Sequence, residues 1–108
     1  MIYGGFVYIL TCNSRKALYV GVTANLGARL AEHRSAKPRT SFTARYNTHT
    51  LVYYRVFDRI EDAIAEEKRL KGGSRAQKIR LVEAMNPGWD DLWETRLKPG
   101  RQPGPQAR

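Results

Sequence analysis

Two kinds of apolar spacing alternate along the chain. Residues 5 to 11, Gly-Phe-Val-Tyr-Ile-Leu-Thr, form a short run of strand-forming residues. Cys12 to Lys16 carry turn chemistry in Asn13 and Ser14, and residues 17 to 23, Ala-Leu-Tyr-Val-Gly-Val-Thr, read as a second strand. The two predict a hairpin. A four-residue loop over 12 to 15 pairs Thr11 with Lys16, and hence Tyr8 with Tyr19. The two phenols then stand side by side on one face. Gly21 shares that face, and its missing side chain leaves room for a close approach.

The spacing changes after Gly21. Asn25 is a cap for a helix over 25 to 35, with Leu26, Leu30 and Ala31 inward. Pro38 marks a break over 37 to 40, and 40 to 46 reads as one short helical turn. Residues 48 to 57 hold Leu-Val-Tyr-Tyr-Arg-Val-Phe, a third strand. A helix from Ile60 to Lys71 is closed by Gly72 and Gly73. Ser74 caps another helix to Met85, with Ile79, Leu81, Val82 and Met85 as core candidates. Asn86-Pro87-Gly88 stops it. Trp89 and Trp93 then predict a segment folded back on the body, because two indoles are large apolar surfaces to leave in water.

Two charged residues break this pattern. Arg29 lies on the stripe marked by Leu26 and Leu30, and His33 follows it by four residues on the same helical face. Glu67 falls on the stripe of Ile60, Ala63, Ile64 and Leu70, whereas Glu66 is expected to face away. A charge aimed inward is costly unless something meets it, so both positions are site candidates. Taken singly, each has a plain reading too: the phenols as sheet aromatics, and Arg29 with Glu67 as a structural ion pair.

The chain has 108 residues, the size of one domain. The domain is expected over 1–95, followed by a basic Pro/Gly-rich tail over 96–108 with the composition of a disordered segment. No apolar run approaches the roughly 20 residues of a membrane span. The N-terminus lacks a signal-peptide pattern. One cysteine, Cys12, excludes an internal disulfide and suits a reducing cytoplasm. One Cys and two His make a zinc site a poor fit. The net charge of +9 is unevenly spread, with nine Lys or Arg against two acids in residues 1 to 60. Such a chain attracts polyanions, phosphate backbones above all.

These residues resemble the GIY-YIG nuclease domain. Its first motif stands here as Phe6-Val7-Tyr8 and its second as Tyr19-Val20-Gly21, with the family's separation of eleven between the tyrosines. Arg29, His33 and Glu67 match the family's helical Arg, His and Glu. The resemblance covers residues 3 to 85 and extends to small standalone bacterial members. It implies an α+β fold, a three-stranded antiparallel sheet flanked by helices. Phe6-Val7 replaces Gly-Ile, and Val22 stands where some relatives carry a Lys. The late Asn of some members has only Asn86 as a candidate.

The resemblance implies a divalent-metal-dependent endonuclease acting on DNA, structured or branched DNA included, with a non-catalytic nucleic-acid-binding module as the alternative. Tyr8, Tyr19, Arg29, His33 and Glu67 are its catalytic set. Glu67 would hold one Mg²⁺ or Mn²⁺, a cation that accepts a single carboxylate and keeps several waters. Arg29 would grip a non-bridging phosphate oxygen with its planar fork. Tyr19 is the general base, with Tyr8 beside it and His33 as helper. A free tyrosine has a pKa near 10, so only about one in a thousand is phenolate at pH 7. Arg34, Lys37, Arg39 and Arg45, with Arg29, form a general phosphate-attracting surface. No domain that would read sequence is visible. Affinity for nucleic acid should therefore fall steeply with salt and vary little with sequence, which a filter-binding series across NaCl concentrations checks.

Overall fold

The computed structural model describes residues 4–12, 17–34 and 50–97, with the side chains of His33 and Arg34 excepted. Its elements run β1 (Gly5–Thr11), β2 (Leu18–Thr23), α1 (Leu26–Arg34), β3 (Thr50–Phe57), α2 (Ile60–Lys71) and α3 (Arg75–Met85), followed by a π-helical turn over Trp93–Leu97. The expected turn at 40 to 46, residues 13–16 and the tail from 98 onward lie outside the described residues.

The three strands form one antiparallel sheet in the order β2-β1-β3. β1 is central, and Val7, Tyr8, Ile9 and Leu10 are all fully buried. Successive side chains of a strand alternate between faces, so β1 feeds two cores. Val7 and Ile9 join Val20, Val52, Tyr53, Ala63, Leu70 and Val82 beneath α2 and α3. Tyr8 and Leu10 join Leu26, Leu30, Leu51 and Leu92 beneath α1 and the C-terminal segment.

The hairpin register differs from the expected one. Thr11 pairs with Leu18, Tyr8 with Gly21, and Leu10 with Tyr19. The connection is two residues longer than a four-residue loop, and the Thr11 hydroxyl donates to the Ala17 carbonyl at 2.9 Å within it. A slip of two keeps every side chain on its expected face. The β1–β3 ladder carries an irregularity that the sequence did not disclose. Ile9 pairs with Tyr53 and Leu10 with Leu51, leaving Val52 as an extra residue. Such a bulge turns both Val52 and Tyr53 into the α2-side core.

Local chemistry sets the helix ends. Asn25 Oδ1 accepts from the Ala28 N–H at 3.0 Å, the expected cap. Ser74 and Gln77 form a reciprocal capping box. Gly72 stays right-handed at φ −81°, so α2 ends without the left-handed glycine cap. Ala31 faces solvent, contrary to expectation, because the buried arc of the short α1 is filled by Leu26 and Leu30. On α3 Val82 is buried, while Ile79, Leu81 and Met85 are half-buried.

The C-terminal segment folds back as the indoles require. Trp89 packs against the α2-side core and Trp93 against the α1-side core, so the chain passes from one face of the sheet to the other between them. Asn86 fastens this passage. It is 4 % exposed, and its Nδ2 donates to the carbonyls of Val52 (3.2 Å) and Asp90 (2.8 Å), while its Oδ1 accepts from the Asp90 N–H (3.0 Å). Trp89 adopts a left-handed φ of 56°, unfavourable for a bulky residue, and its indole N–H donates to Glu83 at 3.0 Å. Replacing Asn86 by Ala strands buried backbone groups. It should cost about 2–3 kcal/mol of unfolding free energy, measurable by urea denaturation.

Candidate active site

Gly21 explains how the phenols are placed. A Cβ built there would lie 2.4 Å from Cζ and Oη of Tyr8. The Tyr8 ring therefore occupies the space that a side chain on β2 would take, and its hydroxyl reaches over that edge strand. Tyr19, one pleat along the same face, stands with its ring centroid 6.3 Å from that of Tyr8, the planes tilted by 45°. The expected neighbourhood of the phenols survives as a diagonal contact rather than a direct pair.

Arg29 completes the cluster from α1. Its positive charge acts on the Tyr8 hydroxyl and works against the rise in that phenol's pKa. Its Nε stands 3.4 Å from Glu32, an exposed i,i+3 partner. Arg29 is thus not sunk in the stripe of Leu26 and Leu30. It lies on the border, 40 % exposed. Its partners are Tyr8 and Glu32, which takes the place of the Arg29–Glu67 ion pair among the plain readings.

The two phenols differ in burial. Tyr8 has no exposed surface, and burial pushes its pKa well above the ordinary tyrosine value. Neighbouring Tyr19 adds to the rise, and Arg29 opposes it only in part. Tyr8 therefore stays a neutral phenol and has no route to water. Tyr19 is half-buried, with part of its surface at solvent.

The carboxylates lie on α2, which packs on β1 and β2 from the face opposite the phenols. Both Glu66 and Glu67 are largely covered, with side chains 11 % and 13 % exposed. The expectation that Glu66 faces away is wrong. Ala63 and Leu70 centre the buried arc, and at about 100° per residue Glu66 and Glu67 fall on its two flanks. Ile64 lies outside that arc and is 38 % exposed. Glu66 accepts Nε and Nη2 of Arg69 at 2.9 and 2.6 Å, and Arg55 of β3 stands 3.9 Å away. The Arg69 hydrogen bond, with the charges of Arg69 and Arg55, holds the Glu66 carboxyl below its usual range against the opposing effect of burial.

Because Glu66 looks toward β3, Glu67 occupies the flank toward β2. It pairs there with Lys71. The acid and the phenols thus sit on opposite faces of the sheet, and the expected gathering of Glu67 with Tyr8, Tyr19 and Arg29 in one pocket is not seen among the described contacts. Among the described residues no three His, Cys, Asp or Glu gather into a metal-holding group. Glu67 alone fits a cation such as Mg²⁺, which takes one carboxylate and fills its shell with waters and phosphate oxygens. His33 and Arg34 belong to α1 by backbone, and their side chains lie outside those described, as do Lys37, Arg39 and Arg45 entirely. Val22 packs against the α2-side core, and Asn86 commits its amide to the backbone of Val52 and Asp90.

The Tyr8 shift carries a stability consequence. The folded phenol holds its proton more tightly than the unfolded one. Its contribution is therefore whole below the unfolded pKa of about 10 and is lost as pH rises above it toward the raised folded value. Thermal melts from pH 8 to 11 should show an alkaline decline that is shallower in Tyr8→Phe.

Comparison with known proteins identifies the family and the fold. The family model of the GIY-YIG catalytic domain matches residues 4–80. A UPF0213 protein of Syntrophus aciditrophicus is 38% identical over 82 residues, covering 76% of this chain and 92% of that protein. A UPF0213 protein of Natronomonas pharaonis is 38% identical over 77 residues, covering 71% and 88%. The solution NMR structure of a UPF0213 protein from Bacillus halodurans superposes with a TM-score of 0.52 at 27% identity, covering 85% of this chain and 96% of that one. With its sheet, its paired tyrosines and this match over most of its length, the chain belongs to the GIY-YIG nuclease family.

Proposed function

We propose that this protein is a divalent-metal-dependent endonuclease that hydrolyses phosphodiester bonds in DNA. The observation that carries the reading is the cluster of Tyr8, Tyr19 and Arg29 over Gly21. Hydrolysis requires a base for water, positive charge at the phosphoryl oxygens and stabilisation of the leaving oxygen.

Arg29 binds a non-bridging oxygen of the scissile phosphate through the exposed part of its guanidinium. Tyr8 holds that guanidinium from beneath and keeps its own proton, which makes it a positioning residue. Tyr19 accepts the proton of the attacking water at its hydroxyl oxygen. Glu67, once Lys71 yields it, would hold a Mg²⁺ or Mn²⁺ ion, which supplies Lewis-acid stabilisation when bound. His33, one turn beyond Arg29, relays the proton onward. Arg34, Lys37, Arg39 and Arg45 add positive charge that attracts the polyanion.

Supercoiled plasmid incubated with Mg²⁺ or Mn²⁺ should be nicked, and a chelator should stop the reaction. Tyr19→Phe should slow nicking about 10²–10⁴-fold and Arg29→Ala about 10²–10³-fold. Glu67→Ala should abolish it with DNA binding retained, whereas Glu66→Gln should lower stability and leave nicking in place. Binding without cleavage under either metal would identify a non-catalytic nucleic-acid-binding module. Cleavage of RNA but not DNA would reassign the substrate.

A further inference from the structure

The cations of the second half of the domain are gathered in one place. Between residues 61 and 95 the chain carries six Lys or Arg and eight Asp or Glu. All six cations, Lys68, Arg69, Lys71, Arg75, Lys78 and Arg80, fall within residues 68–80, and none of the acids does. These residues are the last turn of α2, the short connection through Gly72 and Gly73, and the first half of α3. Helix stability accounts for only part of the pattern. Lys68, Arg69 and Lys71 suit the negative end of the α2 dipole. Arg75 and Lys78 open α3, whose positive end favours acids, and its first turn holds none. All of the six except Lys78 are exposed. Lys68 and Arg80 have no ion pair among the described residues.

A cleft of about 250 Å³ opens within this cluster, between α2 and α3. Leu70 and Leu81 give it an apolar floor, and Arg69, Gln77 and Arg80 give it a polar rim. Arg69 is already held in position. Glu66 takes one N–H from its Nε and one from its Nη2, and three of the five N–H groups of a guanidinium lie outside that fork. Arg55 stands 3.9 Å from the same carboxylate, so positive charge is in excess at this rim before Arg80 is added. Two planar guanidinium groups over a small apolar floor fit a sugar–phosphate unit, the forks taking phosphate oxygens and the leucines the carbon face of the sugar. Leu70 and Leu81 belong to the core beneath α2 and α3, whereas Tyr8, Tyr19 and the leucines of α1 pack on the other face. The cleft and the phenols therefore lie on opposite sides of the sheet.

We infer that the α2–α3 corner, centred on the cleft between Arg69 and Arg80, is a second binding surface for the phosphate backbone of nucleic acid, separate from the one at Arg29. The inference rests on the nucleic-acid reading above and adds that the protein engages backbone on both faces of its sheet. A substrate that reaches both must wrap around the domain or present two backbone segments.

The test measures binding in EDTA, so that cleavage plays no part. The affinity of a labelled DNA duplex is followed by fluorescence anisotropy across a NaCl series. The logarithm of affinity falls linearly with that of salt, and each lost phosphate contact lowers the slope by about one. Arg80→Gln and Lys68→Gln should each lower it by about one, and Arg80→Lys should keep the wild-type slope. Arg59→Gln is the control and should also keep it. Arg59 precedes α2, about 15 Å along the helix from Arg69 and beyond the roughly 10 Å reach of a charge at 0.1 M salt. Both target side chains are exposed, and a thermal melt checks that each variant folds; if one does not, the other decides. Unchanged slopes would assign these cations to solvent or to an acidic protein partner and overturn the inference, while DNA binding by the wild-type protein would leave the nuclease reading intact. Absence of DNA binding by the wild-type protein at any salt concentration would overturn both.

Discussion

A tyrosine in the middle of a central strand must put its ring somewhere. In this fold the available space lies over Gly21 on the neighbouring strand. Tyr8 is sealed from solvent, so its ring cannot swing outward, and any side chain at position 21 would collide with it. This single packing relation fixes the phenol hydroxyl at the β2 edge, where Arg29 meets it. It also fixes the protonation state, because a buried phenolate is far more costly than a buried phenol. A well-packed ring thereby orients a guanidinium that is itself half in water.

The thinness of the sheet explains why the candidate site lies at an edge. Three strands expose two edges, and each edge is a pairing hazard unless occupied. The β3 edge is taken by the C-terminal segment, which Asn86 ties to the Val52 carbonyl at the bulge. That segment carries Trp89 to one core and Trp93 to the other, so it clasps both faces. At the β2 edge Tyr8 reaches over Gly21, with Tyr19 and Arg29 beside it on the α1 side.

Apolar periodicity made the elements legible almost to the residue. α2 was expected over Ile60 to Lys71 and spans those residues, and β1 likewise spans 5 to 11. Which face a strand residue takes depends only on parity, so the phenols were placed on one face despite a register two residues off. What the sequence hid was set by tertiary partners. The irregularity at Val52 has no local signature, since Leu51, Val52 and Tyr53 all suit a strand. Glu66 looked solvent-facing because Ile64, in fact 38 % exposed, pulled the apparent stripe around the helix. Asn86 read as the end of a helix, whereas its amide meets a carbonyl 34 residues away in the chain.

The adjacent carboxylates show how the fold divides labour between like groups. Glu66 receives a two-bond fork from Arg69 and a further cation from β3, and its carboxyl is held below the usual range by them. Releasing it would break that fork and the contact with Arg55 of β3. Glu67 has its described ion pair with Lys71, one turn along the same helix. Pairs of that kind contribute only about 0.3–0.5 kcal/mol, because the long amine is easily resolvated. A carboxylate required to take up a cation together with a phosphate must give up its resting partner at little cost. Of the two acids, Glu67 meets that requirement.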